Sequence, residues 1–208
     1  MRNLLFDALL CDLDGVISFY DLTEVTCLEH AAGLAPGTTR DIAFAPERDL
    51  PLLLGRISRA QWAASIADAL AGQATAQQAA DLAAAFAHAP TRADQAVVEL
   101  IRQARRTIPV VLVTNATVWL DDDLARLGLT GLADHVVNSS RVRVAKPDPA
   151  IYTIAAQRAG VPVHRCAFVD DNRANVDAAR HAGMTAVHYS SIDDLRQLLA
   201  PVLGETKS

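Results

Sequence analysis

"CDLDGVIS", Cys11 to Ser18, closes the first apolar run of the chain. The run ahead of it, Leu4-Leu5-Phe6 and Ala8-Leu9-Leu10, reads as a buried strand. Two aspartates follow, Asp12 and Asp14, one residue apart, and then Gly15. Alternate residues of a strand share a face, so carboxylates at this spacing point the same way and repel. A fold tolerates such a pair when a cation sits between them, or when one is held protonated for a task. Which of these applies depends on what else the chain brings to the end of this strand.

Downstream, short apolar runs alternate with helical patterns, the sequence sign of a parallel sheet covered by helices. Strands are expected at 5–10, 109–114 ("PVVLVT"), 135–137, 166–170 ("CAFVD") and 185–188. Most are continuously apolar or β-branched, as strands covered on both faces are. Helix signals are equally plain. Ser58 with Gln61 and Thr75 with Gln78 spell capping boxes. Trp62, Ile66, Ala69 and Leu70 form one apolar stripe. Asp148-Pro149 pairs an N-cap with a proline at the first helical position, and Gly160 closes that helix. Asn172 and Ser191 open two more, with Gly183 following the first.

Residues 19 to about 88 interrupt this alternation. They show helical patterns near 21–32, 58–71 and 75–87, a less regular stretch near 35–56, and no strand. The expectation is an α/β, Rossmann-like fold with a small helical domain inserted after the first strand. The core takes residues 1–15 and 91–208, and the cap takes 16–90, with linkers near 16–20 and 88–92. A chain of 208 residues has room for one sizeable core and a smaller appended unit.

Composition narrows the function classes. The formal net charge is −5 and no basic run reaches five residues, which argues against nucleic acid as a partner. No window holds the ~18 apolar residues of a membrane span, and the N-terminal run lacks the form of a signal peptide. The three cysteines, Cys11, Cys27 and Cys166, are scattered without a CxxC. A reducing, cytoplasmic setting with no membrane partner is expected.

In open parallel sheets, ligands bind beyond the carboxyl ends of the strands. The first expected strand ends in Asp12 and Asp14, the second in Thr114-Asn115, and the fourth in Asp170-Asp171. Lys146 precedes the helix that starts at Pro149. Asp12, Asp14 and Asp171 suit a shared Mg²⁺, a hard cation that prefers oxygen. Thr114, the Asn115 backbone N–H and Lys146 suit a phosphate. A carboxylate then remains to attack phosphorus, with the metal and the lysine offsetting the repulsion between two anions.

The stretches "CDLDGVI", "LVTNAT", "AKPDPAIY" and "FVDDNRANVDAA", in this order, resemble the four motifs of the haloacid dehalogenase-like (HAD) hydrolase superfamily. They are most similar to its phosphatases with a small helical cap after the first motif, and the likeness runs from Phe6 to about Leu199. The resemblance implies that Asp12 is the nucleophile of an aspartyl-phosphate intermediate. Asp14 becomes the general acid for the leaving alcohol and then the base for water. Asp12, the Asp14 carbonyl and Asp171 would ligate Mg²⁺, with Asp170 behind them. Thr114, Asn115 and Lys146 would bind the phosphoryl group, and Lys146 would also hold Asp12. Gly15 would let the chain turn where a side chain would crowd the phosphate. Two positions depart from the pattern. Asn175 stands where some members carry a second acid, and is expected to bind a metal-bound water or orient Lys146. Cys11 stands where an aromatic is common, a packing change.

The activity expected is therefore Mg²⁺-dependent hydrolysis of a small phosphorylated metabolite by a monomer or homodimer. The alternatives are a phosphomutase like β-phosphoglucomutase, which "ISFYDL" after the first motif matches poorly, and a dehalogenase, which the presence of Asp14 disfavours. Other conspicuous residues read as structural. Trp62 belongs to a helix core, and Asp121-Asp122-Asp123 to a negatively charged first helical turn. Phe19 and Tyr20 read as hinge packing, and Arg48, Arg56 and Arg59 as solvated surface. The six histidines form no ligand cluster.

Overall fold

β1 (Ala8–Cys11) is the central strand of a five-stranded parallel sheet. The other strands are β4 (Val110–Thr114), β5 (His135–Asn138), β6 (Cys166–Asp170) and β7 (Thr185–His188). Their order is β5-β4-β1-β6-β7. In register, Leu9 lies opposite Val110 on one side and Ala167 on the other. The computed structural model from which this is read describes residues 5–204; residues 1–4 and 205–208, at the ends of the expected core segments, lie outside it.

Strand periodicity sorts the core into two layers. Leu9, Cys11, Val110, Leu112, Ala167 and Val169 face one side. Helices α6 (Gln95–Arg105), α7 (Leu120–Arg126) and α11 (Ile192–Leu203) cover it through Val97, Ile101, Leu124, Leu195 and Leu199. Ala8, Leu10, Val111, Val113 and Phe168 face the other. There α9 (Pro149–Ala159) and α10 (Arg173–His181) bring Ile151, Tyr152 and Val176. Cys11 is fully buried in the first layer and Cys166 in the second, as small hydrophobes. A short helix, α8 (Ser139–Val142), follows β5.

The helix signals resolve as caps. Ser58 and Thr75 each accept from the backbone N–H three residues on, and Gln61 and Gln78 reach back in turn. Asp148 caps α9, and Gly160 closes it in the left-handed conformation. Asn172 caps α10, and Ser191 opens α11 with Asp194 in a capping box. The ends of β1 differ from expectation. The strand starts at Ala8; just ahead of it the Asp7 N–H donates to the Arg165 carbonyl at 2.7 Å, its carboxylate pairs with the Arg165 guanidinium at 2.7 and 2.8 Å, and Leu5 is exposed.

The chain divides into two compact units. One comprises the sheet and its helices, up to Phe19 and from Ala93 onward; the other is Tyr20–Arg92. The second contains α1 (Thr23–Ala31), α2 (Thr38–Ala43), α3 (Pro46–Leu53), α4 (Arg59–Ala69) and α5 (Ala76–Ala87). Its core is built on Trp62, Ile66, Leu70, Leu82 and Phe86, with the Trp62 and Phe86 rings 5.8 Å apart. Two features here differ from the sequence reading. The irregular stretch holds α2 and α3, which are too short to show a stripe. The linkers are β2 (Ser18–Tyr20) and β3 (Thr91–Ala93), which pair as a two-stranded ribbon. Three-residue strands carry no alternation, and the pairing joins segments far apart in sequence. Among the described residues no helix is long and apolar enough to cross a membrane.

Candidate active site

The topology reverses at β1. The chain passes from β1 to β4 and β5 on one side, then crosses back to β6 on the other. The carboxyl ends of β1, β4 and β6 flank that reversal, where open α/β sheets bind ligands. Asp12 follows β1, Thr114 ends β4 and Asp170 ends β6. The Asp12 N–H donates to the Val169 carbonyl at 3.0 Å, so the β1–β6 ladder holds the backbone of Asp12 itself.

Lys146 joins the two strand ends. Its Nζ lies 2.6 Å from Asp12 Oδ1 and 2.7 Å from Asp170 Oδ2, and its side chain is only 1 % exposed. The Phe168 ring lies 5.8 Å beneath the ammonium. Burial alone would lower the lysine pKa. Asp12 and Asp170 outweigh it and hold Lys146 above its ordinary value, so it is charged at any working pH. Asp12 Oδ1 also accepts the Leu13 N–H at 2.8 Å.

Asp170, fully buried, is the most heavily bonded carboxylate of the group. It accepts from Lys146, from the Asn172 N–H at 2.8 Å, and from Asn175 Nδ2 at 3.1 Å to each oxygen. Asn175 is thus turned toward Asp170 and acts on Lys146 through it. Tyr152 secures Asn175 by donating its hydroxyl to the Asn175 carbonyl at 2.8 Å.

Asp12 and Asp14 do not share a strand face as the spacing suggested, although the Asp14 charge still raises the Asp12 carboxyl. The strand ends at Cys11, and the following turn gives each carboxyl its own partner. Asp12 has Lys146, while Asp14 Oδ1 accepts the Ser18 hydroxyl at 2.5 Å. Gly15 makes the turn with φ +84°, and a Cβ there would lie 2.2 Å from Asp171 Oδ2. The missing side chain makes room for Asp171, the nearest group in the structure, where the sequence reading had it making room for a phosphate.

Oxygens of Asp12, Asp170 and Asp171 lie within 4.8 Å of one another. Burial pushes the Asp12 carboxyl well up; Lys146 pulls it back, and Asp170 and Asp14 push it up again. Asp171 sits at the exposed rim, yet the protein packed around its carboxyl raises it too, with Asp170 adding to the effect. Asp12, Asp170 and Asp171 thus share the field of the Lys146 ammonium. Carboxyls pushed up as those of Asp12 and Asp171 are favour the protonated form unless a cation compensates. An all-oxygen, acidic donor set fits a hard divalent cation.

Thr114 is buried at the end of β4, opposite Asn138 in the ladder. The Asn115 side chain pairs with the Lys146 backbone. The loop after β4 is pinned from β5 and α8, where Asn138 Nδ2 donates to the Thr117 carbonyl at 2.8 Å and Ser139 Oγ accepts the Ala116 N–H at 3.0 Å. Ser18, Asn138 and Ser139 were not singled out from sequence. The only signal was small polar residues at strand ends.

The model of the haloacid dehalogenase-like hydrolase family matches residues 6–183. The fructose-1-phosphate phosphatase YqaB of Escherichia coli (strain K12) is 42 % identical over 64 residues, 31 % of this chain and 34 % of that protein. The (S)-2-haloacid dehalogenase 2 of Pseudomonas sp. (strain CBS-3) is 26 % identical over 95 residues, 45 % of this chain and 41 % of that one. The chain thus spans well under half the length of these curated relatives. A HAD family enzyme of Bacteroides thetaiotaomicron, solved in complex with magnesium and inorganic phosphate, superposes with a TM-score of 0.69. That match covers 93 % of this chain and 98 % of the other at 19 % identity, a likeness of fold. With the family model matched over residues 6–183, well over half of the chain, the chain belongs to the haloacid dehalogenase-like hydrolases.

Proposed function

We propose that this chain is a Mg²⁺-dependent phosphatase that hydrolyses a small phosphorylated metabolite through an aspartyl-phosphate on Asp12. The observation that carries the reading is the split of the opening motif. Asp12 is set against a buried ammonium, while Asp14, two residues on, has a separate hydroxyl partner. One carboxylate suited to attack and one suited to exchange a proton is the division that phosphoryl transfer to a side chain requires. Asp12, Asp171 and the Asp14 carbonyl would hold the metal, with Asp170 held back by its lysine and asparagine partners. When bound, Mg²⁺ supplies positive charge that screens the carboxylates from the phosphate.

The chain's own residues then account for the steps. Thr114, the Asn115 N–H and Lys146 bind the phosphoryl oxygens. An Asp12 oxygen attacks phosphorus, and the bond to the leaving alcohol breaks as the new P–O bond forms. Asp14 gives its proton to the departing oxygen. In the second step Asp14 takes a proton from water, whose oxygen attacks phosphorus. Asp12 is released with inorganic phosphate. The helical unit Tyr20–Arg92 is read as the cap-type insertion, and YqaB as a relative makes sugar phosphates the first substrates to screen.

The test is hydrolysis of 4-nitrophenyl phosphate with Mg²⁺ and with EDTA, by wild type and Asp12→Asn. Activity that requires both Mg²⁺ and Asp12 supports the reading, and a folded Asp12→Asn protein with full metal-dependent turnover sinks it. The similarity to a haloacid dehalogenase gives a second reading. Halide release from 2-chloropropionate, without phosphate release from any ester, would favour that one.

A further inference from the structure

Asn138, Ser139 and Ser140 pass from the end of β5 into α8, and all are buried. Burying small polar side chains is unfavourable unless they are hydrogen-bonded. Here they bond one another and the loop after β4. The β4–β5 ladder runs out with Thr114 opposite Asn138. Beyond it, Ser139 Oγ accepts the Ala116 N–H at 3.0 Å and donates to the Ala116 carbonyl at 3.3 Å. Asn138 Nδ2 donates to the Thr117 carbonyl at 2.8 Å, while its Oδ1 accepts the Ser140 N–H at 3.0 Å and the Ser140 hydroxyl at 2.8 Å. Side chains thus continue the pairing of β4 past the last rung. α8 is a single turn, and the chain leaves it for Lys146, whose backbone is met by the Asn115 side chain. The loop after β4 and the segment 138–146 are laced together along their length.

We infer that Ser139 is a positioning residue for the phosphoryl group, acting through the backbone of Ala116. This rests on the phosphatase reading, in which Thr114, the Asn115 N–H and Lys146 take the phosphoryl oxygens. The direction of a backbone N–H follows from the peptide planes around it. The ladder holds Thr114 ahead of Asn115, and Ser139 holds the peptide that follows. Fixed from both sides, Asn115 keeps its N–H in one direction. The segment that carries Ser139 also carries Lys146, so the N–H, the hydroxyl of Thr114 and the ammonium keep set spacings. As phosphorus is attacked, its three remaining oxygens spread toward a plane. Donors already placed for that arrangement stabilise it more than the tetrahedral ester. Loosening Ala116 should therefore weaken binding of the five-coordinate arrangement more than binding of phosphate itself.

Orthovanadate can take up the five-coordinate geometry, whereas inorganic phosphate stays tetrahedral. The readout is the ratio of their inhibition constants against hydrolysis of 4-nitrophenyl phosphate with Mg²⁺ present. Unfolded protein in a sample leaves an inhibition constant unchanged, so a loss of stability alone does not move the ratio. The proteins are wild type, Ser139→Ala, Ser139→Thr and Thr114→Val. Thr114→Val removes a direct contact and should reduce the preference for vanadate. Ser139→Ala is expected to reduce it about tenfold, with kcat falling more than KM rises, and Ser139→Thr, which keeps the hydroxyl, to lie nearer wild type. A wild-type ratio in Ser139→Ala beside a lowered one in Thr114→Val overturns the role of Ser139 and leaves the phosphatase reading standing. An equal loss in Ser139→Thr assigns the effect to packing and overturns that role too. A wild-type ratio in Thr114→Val, or a wild type that does not hydrolyse the ester, overturns both.

Discussion

The Asn115 side chain and the Lys146 backbone are joined by two opposed hydrogen bonds. Nδ2 donates to the Lys146 carbonyl at 2.9 Å, and the Lys146 N–H donates to Oδ1 at 2.7 Å. An amide side chain thereby takes the place of a neighbouring strand, and it locks the segment whose ammonium reaches Asp12. Asn115 is expected to act through this pair as well as through its own N–H. Asn115→Ala should cut kcat about tenfold by letting Lys146 shift. Asn115→Asp, which sets an oxygen against the Lys146 carbonyl, should cost more. Steady-state kinetics checked against thermal melts separates this from a folding defect.

Asn175 is held to a second criterion, stability. It donates to both oxygens of a buried carboxylate, so Asn175→Leu should leave Asp170 short of donors. That should lower unfolding free energy by about 2–3 kcal/mol, within the range for hydrogen bonds to buried charged groups. Asn175→Asp brings a like charge against Asp170 and should destabilise further. Urea titrations report both, and an unchanged midpoint would refute the accounting.

Gly15 is where a single methyl group should be felt at the metal. With φ at +84° and Asp171 Oδ2 at 2.2 Å from a built Cβ, Gly15→Ala must displace the Asp171 carboxylate. The Mg²⁺ concentration giving half-maximal thermal stabilisation should rise about tenfold, as for lost support around a metal ligand. Identical Mg²⁺ titrations of the two proteins would contradict this.

Asp49, half-buried in α3, offers a pH test within the helical unit. Burial pushes its pKa up to about 6. A carboxyl raised above its unfolded value of about 3.9 destabilises the fold only when ionised. The penalty is absent below about pH 4, grows as pH rises towards 6 and is complete above it. The full shift corresponds to about 3 kcal/mol, and the remaining exposure of the side chain reduces this to about 1 kcal/mol. Asp49→Asn should therefore raise the melting temperature at pH 8 and leave it unchanged at pH 4. A gain at both would point to another cause.

The parallel sheet was legible because its strands are continuous apolar runs, and "CAFVD" and the strand before His188 fall where the alternation puts them. The helices with chemical caps, at Ser58, Thr75, Asp148 and Asn172, were legible for the same local reason. The β2–β3 ribbon was not, since its only evidence is a partner many residues away. Asp12, Lys146, Asp170 and Asp171 each end or follow an element, and the strand order alone brings them to one rim. Their division of labour was harder to read. That Asp14 would turn to Ser18, and Asn175 to Asp170, follows from a six-residue turn and a helix start that only the folded chain defines.

β1 is the first strand of the sheet to be synthesised, and its pairing is complete only when β6, the fourth strand of that sheet, has been made. Asp7 at its entrance pairs with Arg165, 158 positions later, and Cys11 at its exit lies opposite Val169. A chain emerging from the ribosome therefore carries its central strand unpartnered on the β6 side until residues 166–170 have been made. The helices of residues 20–92, whose contacts are local, have everything they need much earlier. Vectorial synthesis should yield an ordered helical unit first and the carboxylate cluster only after β6. A nascent chain halted before residue 165 should be protease-resistant only in its helical part.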